Sequence, residues 1–493
     1  MFRSARNFVG FSVILLILIL GSVQVAHAAG FVVNSTGDAS DSNPGDGVCA
    51  DGSGNCTLRA AVEEANALTG SDTITLTAGS VYTLTLGQLS INSQIVIAGE
   101  GATVTADGAS RVFYVAGTGN LSLKNITVRD GFSEVGGGIL VDSGGALNVL
   151  NSAIISNTST GAGGGISNYF GTINIANSTI SGNRAYGNGG GIDQRGFSGS
   201  GVGNLTNVTI VNNTSDWDGS GGGDGGGIYT LSSLLNLKNS LVAANSVGPT
   251  GYFTEPDCLN LFGLTSLGYN LIGATDNGTL FPPGTPNANN DFVGTYSAPL
   301  NPLLGGLTGN PAYHPLQAGS LAVDRIPGSA ATLVSSGVNP LFADGDPLVG
   351  DQRGAPRAGG PGQGGSAADI GAYEYDSNPT AVTLVRFEAI PDGAAIRLEW
   401  ETAHEIDSLG FYLHRSSARD GEYVLLGDGL IPCKTPGLVG GAVYTWYDAD
   451  VEPGERYFYR LQEVDVSGRN TFYGPVSAVV TPVFRLYLPL ISH

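Results

Sequence analysis

Lysine is almost missing from this chain: Lys124, Lys238 and Lys434 are the three in 493 residues. All basic residues together number 21 against 42 acidic ones, a net charge of −21. Such a surface repels phosphate backbones and anionic membranes, which argues against a nucleic-acid partner. It also disfavours a polyanionic substrate unless a cation intervenes. Histidine is equally scarce, and none lies between positions 81 and 275. The basic residues of that stretch are Arg111, Lys124, Arg129, Arg184, Arg195 and Lys238, with no shared spacing. Long apolar runs are missing beyond the N-terminus. The closing stretch Phe484–Ile491 is too short to span a bilayer and Pro489 interrupts it.

Glycine, by contrast, is abundant at 77 residues, while hydrophobics stand at 41%, so the chain is not a disordered tract. The glycines belong to a repeat. Taking Asn125, Asn151, Asn177, Asn207 and Asn239 as zero marks gives intervals of 26, 26, 30 and 32 residues. An aliphatic residue stands two positions before each mark: Leu123, Val149, Ile175, Leu205 and Leu237. A β-branched one stands three after: Val128, Ile154, Ile180, Ile210 and Val242. Six after, asparagine recurs as Asn157, Asn183, Asn213 and Asn245. Between marks come glycine triplets closed by Ile139, Ile166, Ile192 and Ile228.

Short alternating runs at this period predict a solenoid of strands, whose apolar columns are buried only when coils stack. Asparagine tolerates left-handed backbone, and its amide can bond the same residue one coil away. The zero-mark asparagines are therefore expected to form a structural ladder. Asn125, Asn177 and Asn207 also open Asn-x-Thr glycosylation triplets, but the periodicity favours the ladder. The stretch resembles the right-handed parallel β-helix of pectate-lyase-type proteins, the pectin lyase fold. The expected class is all-β: that solenoid over 81–275, with an N-terminal capping helix.

At the start, Arg3 and Arg6 precede an apolar run to Leu20, and Ala26-His27-Ala28 is a small-x-small pattern. This reads as a signal peptide over 1–28, cleaved after Ala28, and implies an exported protein. In that setting Cys49 and Cys56 are expected to form a local disulfide. From Thr57, an apolar face of Leu58, Ala61, Val62, Ala65 and Leu68 predicts a capped helix ended by Gly70. Cys56-Thr-Leu-Arg-Ala-Ala, Glu64-Ala-Asn66 and Ser71-Asp-Thr-Ile74 resemble the CSLREA-type N-terminal domain of exported bacterial β-helix proteins, here 29–80. Ala60 stands where that family has glutamate, so Thr57 lacks its capping-box partner.

After Asn245 the triplets stop. Leu267–Ile272, Asp351–Arg357 and Asp369–Glu374 resemble the choice-of-anchor Q domain, over 276–376. That resemblance implies a segment completing and capping the solenoid's C-terminal end, and a surface-attached protein. Ion pairing of Arg353 and Arg357 with Asp351 or Asp369 is expected there, ahead of sugar binding. Cys258 and Cys433 have no evident disulfide partners. Ser377-Asn-Pro379 marks a boundary. Seven alternating runs over 380–482 then resemble a fibronectin type III-like β-sandwich, with Trp400 in its core. Residues 483–493 form an apolar tail, read as a sorting signal or an edge strand.

Catalysis on such a scaffold needs paired carboxylates or a base with a charge-neutralising partner. No paired aspartates followed by Gly-His-Gly occur. The expected function is a non-catalytic exported surface protein acting in adhesion or in binding extracellular glycan or protein. A polysaccharide lyase or glycoside hydrolase on the same solenoid is the alternative. Two insertions break the repeat, at 193–204 and 214–224, and recognition is expected there. Asp216, Trp217, Asp218 and Asp224 of the second are candidate ligand-binding residues: a ring for stacking on a sugar, acids for its hydroxyls. The same loop can instead be a glycine-rich excursion with solvated acids. Calcium is the cofactor these acids allow, and Asp38, Asp41 and Asp46 form a second, incomplete candidate set.

Overall fold

The aliphatic columns meet as the repeat requires. The computed structural model describes residues 28–480 except 198–199, 221, 249–255, 262, 276–280, 337–338, 356, 358–366, 376–381, 406–407, 420, 435–440 and 466–469. The signal-peptide run, the 377–379 boundary and the C-terminal tail therefore lie outside the described residues. Two units divide the chain, the first ending at Tyr375.

In the first unit the chain winds through about seven turns of a parallel β-solenoid. One coil shows the plan. The strand Ala146–Leu150 bends at Asn151 into Ala153–Ile155, then Thr158–Ser159 comes next, and Ile166–Tyr169 closes the coil. Each strand pairs in parallel with its counterpart one coil on, so that Ile154, Ile180, Ile210 and Val242 align, as do Ile166, Ile192, Ile228 and Cys258. All eight are buried in one continuous core. Burial of each such side chain stabilises by about 1.5–3 kcal/mol. Three parallel sheets result: a long one that wraps the Asn bends, a five-stranded one and a seven-stranded one.

Glycine triplets sit where coils touch backbone to backbone. A Cβ on Gly164 would lie 2.4 Å from the Arg184 carbonyl oxygen and 2.5 Å from that of Gly190. The zero-mark asparagines adopt left-handed backbone, with φ between 46 and 54°. Their expected amide ladder is elsewhere, and this corrects the sequence reading. Among the described residues, Asn125, Asn151, Asn177, Asn207 and Asn239 do not bond one another through their amides. The ladder runs six positions later: each Nδ2 of Asn157, Asn183, Asn213 and Asn245 donates to the next Oδ1, ending on Asp257, at 2.9–3.0 Å. A second ladder climbs the outer face from Asn120 through Asn148, Asn174 and Asn204 to Asn236.

Three of the zero-mark amides turn outward to another partner. Asn177 Nδ2 donates to the Gly350 carbonyl at 2.8 Å, Asn207 to Gly371 at 3.2 Å and Asn239 to Ala330 at 3.3 Å. These acceptors belong to a lateral strap, formed by the described residues of 296–375, that runs along the long sheet. Phe292–Val293 adds one rung to the last coil, but most of the strap beyond it covers the flank rather than the end. Leu316, Ile326, Leu348 and Ile370 of the strap pack on Val211, Leu241 and Leu271 in a core of their own. Arg357 is fully buried between Glu374, at 3.2 Å, and the carbonyls of Asp369 and Gly371, while Arg353 pairs with Asp351 at 2.7 Å. The arginines of this segment are thus structural. Asn177 and Asn207 are buried beneath the strap, so these two triplets are covered as glycosylation sites.

The N-terminal helix α1, Leu58–Ala67, covers the first coil through Leu58, Ala61, Val62 and Ala65. Thr57 Oγ1 accepts from the Ala60 N–H at 3.0 Å and donates to the Ala39 carbonyl, so the missing glutamate leaves the cap in place. Cys49 and Cys56 form the expected disulfide.

The described residues of the second unit form seven strands in two antiparallel sheets. Val382–Asp392, Ala395–Glu405 and Val443–Asp448 form one; Val424–Pro432, Ser408–Ser416, Arg456–Asp465 and Asn470–Val479 form the other. Trp400 is fully buried, stacked on Tyr444 at 4.9 Å and edge-on to Phe411 at 5.7 Å. No helix among the described residues is long and apolar enough to cross a membrane.

Candidate functional site

The two insertions are shorter than the expected 193–204 and 214–224, because the strands Ile192–Arg195, Val202–Thr206 and Thr214–Ser215 take up their edges. What is left brackets one sheet. Residues 196–201 come directly after the strand Ile192–Arg195, and residues 216–224 precede the strand Ile228–Leu231; these strands are neighbours in the seven-stranded sheet. The strap lies on the long sheet, so this face is separate from it. Because Ile192 and Ile228 point into the core, strand alternation turns Asp193, Arg195 and Tyr229 outward. Register places Ser167, Asp193 and Tyr229 in one row and Tyr169, Arg195 and Leu231 in the next.

These side chains form a connected polar cluster. Arg195 Nε donates to both Asp193 oxygens at 3.0 and 2.9 Å, and Ser167 Oγ donates to Oδ2 at 3.1 Å. Asp193 is fully buried under Arg195, and that burial pushes its carboxyl up to about 6 although Arg195 pulls it down. The Arg195 guanidinium sits 5.9 Å from the Tyr229 ring centre. Burial raises the Tyr229 phenol, with Arg195 opposing and the charges of Asp193 and Asp224 adding to the rise. Around this cluster the coil turns present exposed rings: Tyr169 at 47% exposure and Phe197, in the first insertion, at 73%. Farther along the same sheet, Tyr114 donates to Asp142 at 2.8 Å with Arg111 over its ring.

The four residues singled out in 214–224 separate. Asp216 turns in, buried, with left-handed backbone at φ 49°, and its Oδ1 accepts from the Gly222 N–H at 3.3 Å. Trp217, 39% exposed, leans toward the five-stranded sheet, where the Arg184 guanidinium covers one face of its ring at 3.9 Å. Asp218 is exposed and accepts from the Ser220 N–H. Asp224 alone joins the Tyr229 cluster. The expected arrangement, one ring flanked by three acids, is therefore corrected to a ring on one side and a single acid on the other. Asp193 and Arg195 lay inside the expected stretch 193–204 without being singled out, and Tyr229 lay outside both stretches, although a signal existed. One position after each triplet isoleucine the chain reads Leu140, Ser167, Asp193, Tyr229, a column that varies while its neighbours repeat.

The calcium candidates are likewise corrected. Asp38 pairs with Arg59 at 2.9 Å and accepts the N–H groups of Thr85 and Leu86. Asp41 accepts from Asn43 and Ala50, and Asp46 from Val48 and Asn43. These carboxylates organise the cap loop instead of converging. Among the described residues no group of three histidines, cysteines or acids is placed to hold a metal ion.

A cavity of about 560 Å³ opens away from this face, where the inner ladder ends, lined by Asn245, Asp257, Tyr296, Leu300 and Pro302. Asp257 is its one carboxylate, and its oxygens are committed to Asn245 at 2.9 Å and to the Ala274 N–H at 2.7 Å. Burial lifts its carboxyl to about 7. Cys258 is a thiol buried in the solenoid core, and Cys433, in the second unit, is likewise outside the disulfide. Comparison with family models, curated proteins and solved structures returned no match to this chain.

Proposed function

We propose that this is an exported, surface-attached, non-catalytic binding protein whose seven-stranded sheet receives an extracellular glycan. The observation that carries this reading is the placement of both insertions at opposite ends of the strands bearing Asp193, Arg195 and Tyr229. Loops held against a rigid stack make a walled strip at little conformational cost on binding. Tyr169 and Phe197 offer faces for pyranose rings, while Arg195 and Tyr229 offer hydroxyl partners. The net charge of −21 favours a neutral or cationic saccharide over a polyanion.

Asp193 is tied to Arg195 and Ser167 at once, which suits a fixed hydrogen-bonding group more than a proton donor in turnover. Its raised carboxyl keeps a glycoside hydrolase as the alternative. A glycan panel scored for binding, and in parallel for new reducing ends, separates the two. Binding that falls at least tenfold in Tyr229→Ala and Tyr169→Ala without turnover supports the proposal. Turnover lost in Asp193→Asn would replace it with the hydrolase, and binding unchanged by either ring substitution would refute this face.

A further inference from the structure

Ala29 comes directly after the small-x-small pattern Ala26-His27-Ala28 and leads into the first strand, Gly30–Val32. Its N–H donates to Asp72 Oδ1 at 2.8 Å, its carbonyl accepts from the Thr73 N–H at 2.9 Å, and it packs against the edge of the solenoid core. Asp72 lies on the strand Ser71–Thr75 and faces inward beside Ile74, with no exposed surface. Its second oxygen, Oδ2, has no hydrogen-bond partner. Among the described residues no ion pair of the first unit includes it, and Arg59 of the cap helix is committed to Asp38 at 2.9 Å. A carboxylate buried to this degree normally has a cation or a full set of donors. One amide N–H is neither.

We propose that Asp72 is the receptor for the α-ammonium of Ala29, created when the Ala28–Ala29 bond is cut, so that N-terminal processing completes the cap. Hydrolysis by an export-associated peptidase adds water across this bond. The carboxylate stays on Ala28 and the amine, protonated at neutral pH, stays on Ala29. The nitrogen keeps its place 2.8 Å from Asp72 but now carries a full charge and two more N–H donors, enough to serve the orphaned Oδ2. Before cleavage the first strand pairs with Ser71–Thr75 over an uncompensated charge; after it, the same pairing closes over an ion pair. Cutting is thereby coupled to the stability of the end on which the first coil rests. The inference uses the export part of the proposed function and is independent of any ligand.

The test begins with the full chain produced through an export pathway, its start read by intact mass and N-terminal sequencing; Ala29 is expected. Three purified forms are then compared: starting at Ala29, the same with an acetylated amine, and one keeping His27-Ala28 ahead of Ala29. Each is made with Asp72 and with Asp72→Asn. Amine labelling of Ala29 at pH 7 is expected to be at least tenfold slower with Asp72 than in Asp72→Asn. The acetylated and extended forms are expected to melt at lower temperature, and Asp72→Asn to abolish that difference. A different start site overturns the assigned cut, and equal labelling rates overturn the ion pair. Should Asp72→Asn fail to fold, equal melting of the free and acetylated forms overturns it alone. Glycan binding is expected to be the same in all forms, so its loss or absence bears on the other reading only.

Discussion

Removing one rung of the inner asparagine ladder tests how the solenoid is held together. In Asn183→Ala the lost Oδ1 accepts from both the main-chain N–H and the Nδ2 of Asn157, each at 3.0 Å. The lost Nδ2 donates to the Ile154 carbonyl and to Asn213 Oδ1, each at 2.9 Å. Asn213 Oδ1 keeps the Asn183 N–H and Asn157 Nδ2 keeps a longer bond to Val128, so those groups are partly served. The Asn157 N–H is stranded in a fully buried site, while the Ile154 carbonyl stays in the parallel ladder with the next coil. At about 1–3 kcal/mol for an unsatisfied buried group, the cost is about 2 kcal/mol. That is a sizeable part of the roughly 5–15 kcal/mol that stabilises a typical domain. Because each coil leans only on its neighbours, the damage should be local, and hydrogen exchange at the Asn157 amide should quicken more than at Asn120. Asn125→Gly is the control: φ is 53° there, which glycine accepts freely, and the change should stay within about 0.5 kcal/mol. Urea unfolding that shows less than about 1 kcal/mol lost in Asn183→Ala would refute the reasoning, and would mean that water replaces the amide.

Gly190→Ala should be far worse than Gly222→Ala. A Cβ at the first meets the Gly226 and Thr214 carbonyl oxygens at 2.5 Å, while at the second nothing lies within 4 Å; thermal melts of the two chains should differ by several degrees or more. Reducing the Cys49–Cys56 disulfide, whose sequence separation is 7, frees a short loop worth about 2.5 kcal/mol by loop-closure entropy. Thiol labelling and proteolysis should then report opening around α1 before the coils. Asp257 binds its proton more tightly folded, at about 7, than unfolded, at 3.8. Stability from this group therefore rises as pH falls from 7 toward 4, by up to about 1.4 kcal/mol per unit. Unfolding measured at pH 7.5, 6 and 5 should show that rise reduced in Asp257→Asn; an unchanged slope would remove Asp257 as its source.

The solenoid was legible because its aliphatic columns recur at fixed offsets, and stacking admits one register for such columns. The asparagine offsets were equally visible, but their roles were not. Asn177 and Asn183 are the same residue six positions apart, one chosen for left-handed backbone and the other for a buried amide chain. Only the fold says which of them faces inward. Asparagine also recurs three before the mark, at Asn148, Asn174, Asn204 and Asn236, a third column that periodicity could have revealed. The strap was less readable. Its partners are dispersed, Ser181 with His314, Asn174 with Ser336 and Thr209 with Ala372, and none repeats in the strap's own sequence.

That dispersal sharpens where recognition belongs. A bare β-solenoid offers several flanks, and the repeat by itself prefers none. Here the long sheet is taken: the outward amides of Asn177, Asn207 and Asn239, together with Leu241 and Leu271, are spent on the strap. The insertions could have fallen at any turn, yet both border the seven-stranded sheet. On that sheet the outward column changes from Leu140 to Ser167 to Asp193 to Tyr229 while the inward isoleucines stay constant. Stacking accounts for the constant positions and leaves the varied ones unexplained. A charge pair buried at an outward position costs desolvation that an aliphatic there would avoid. Asp193 and Arg195 are therefore the side chains least justified by the scaffold, and Arg195, which covers the buried Asp193, is the one partly exposed between the loops.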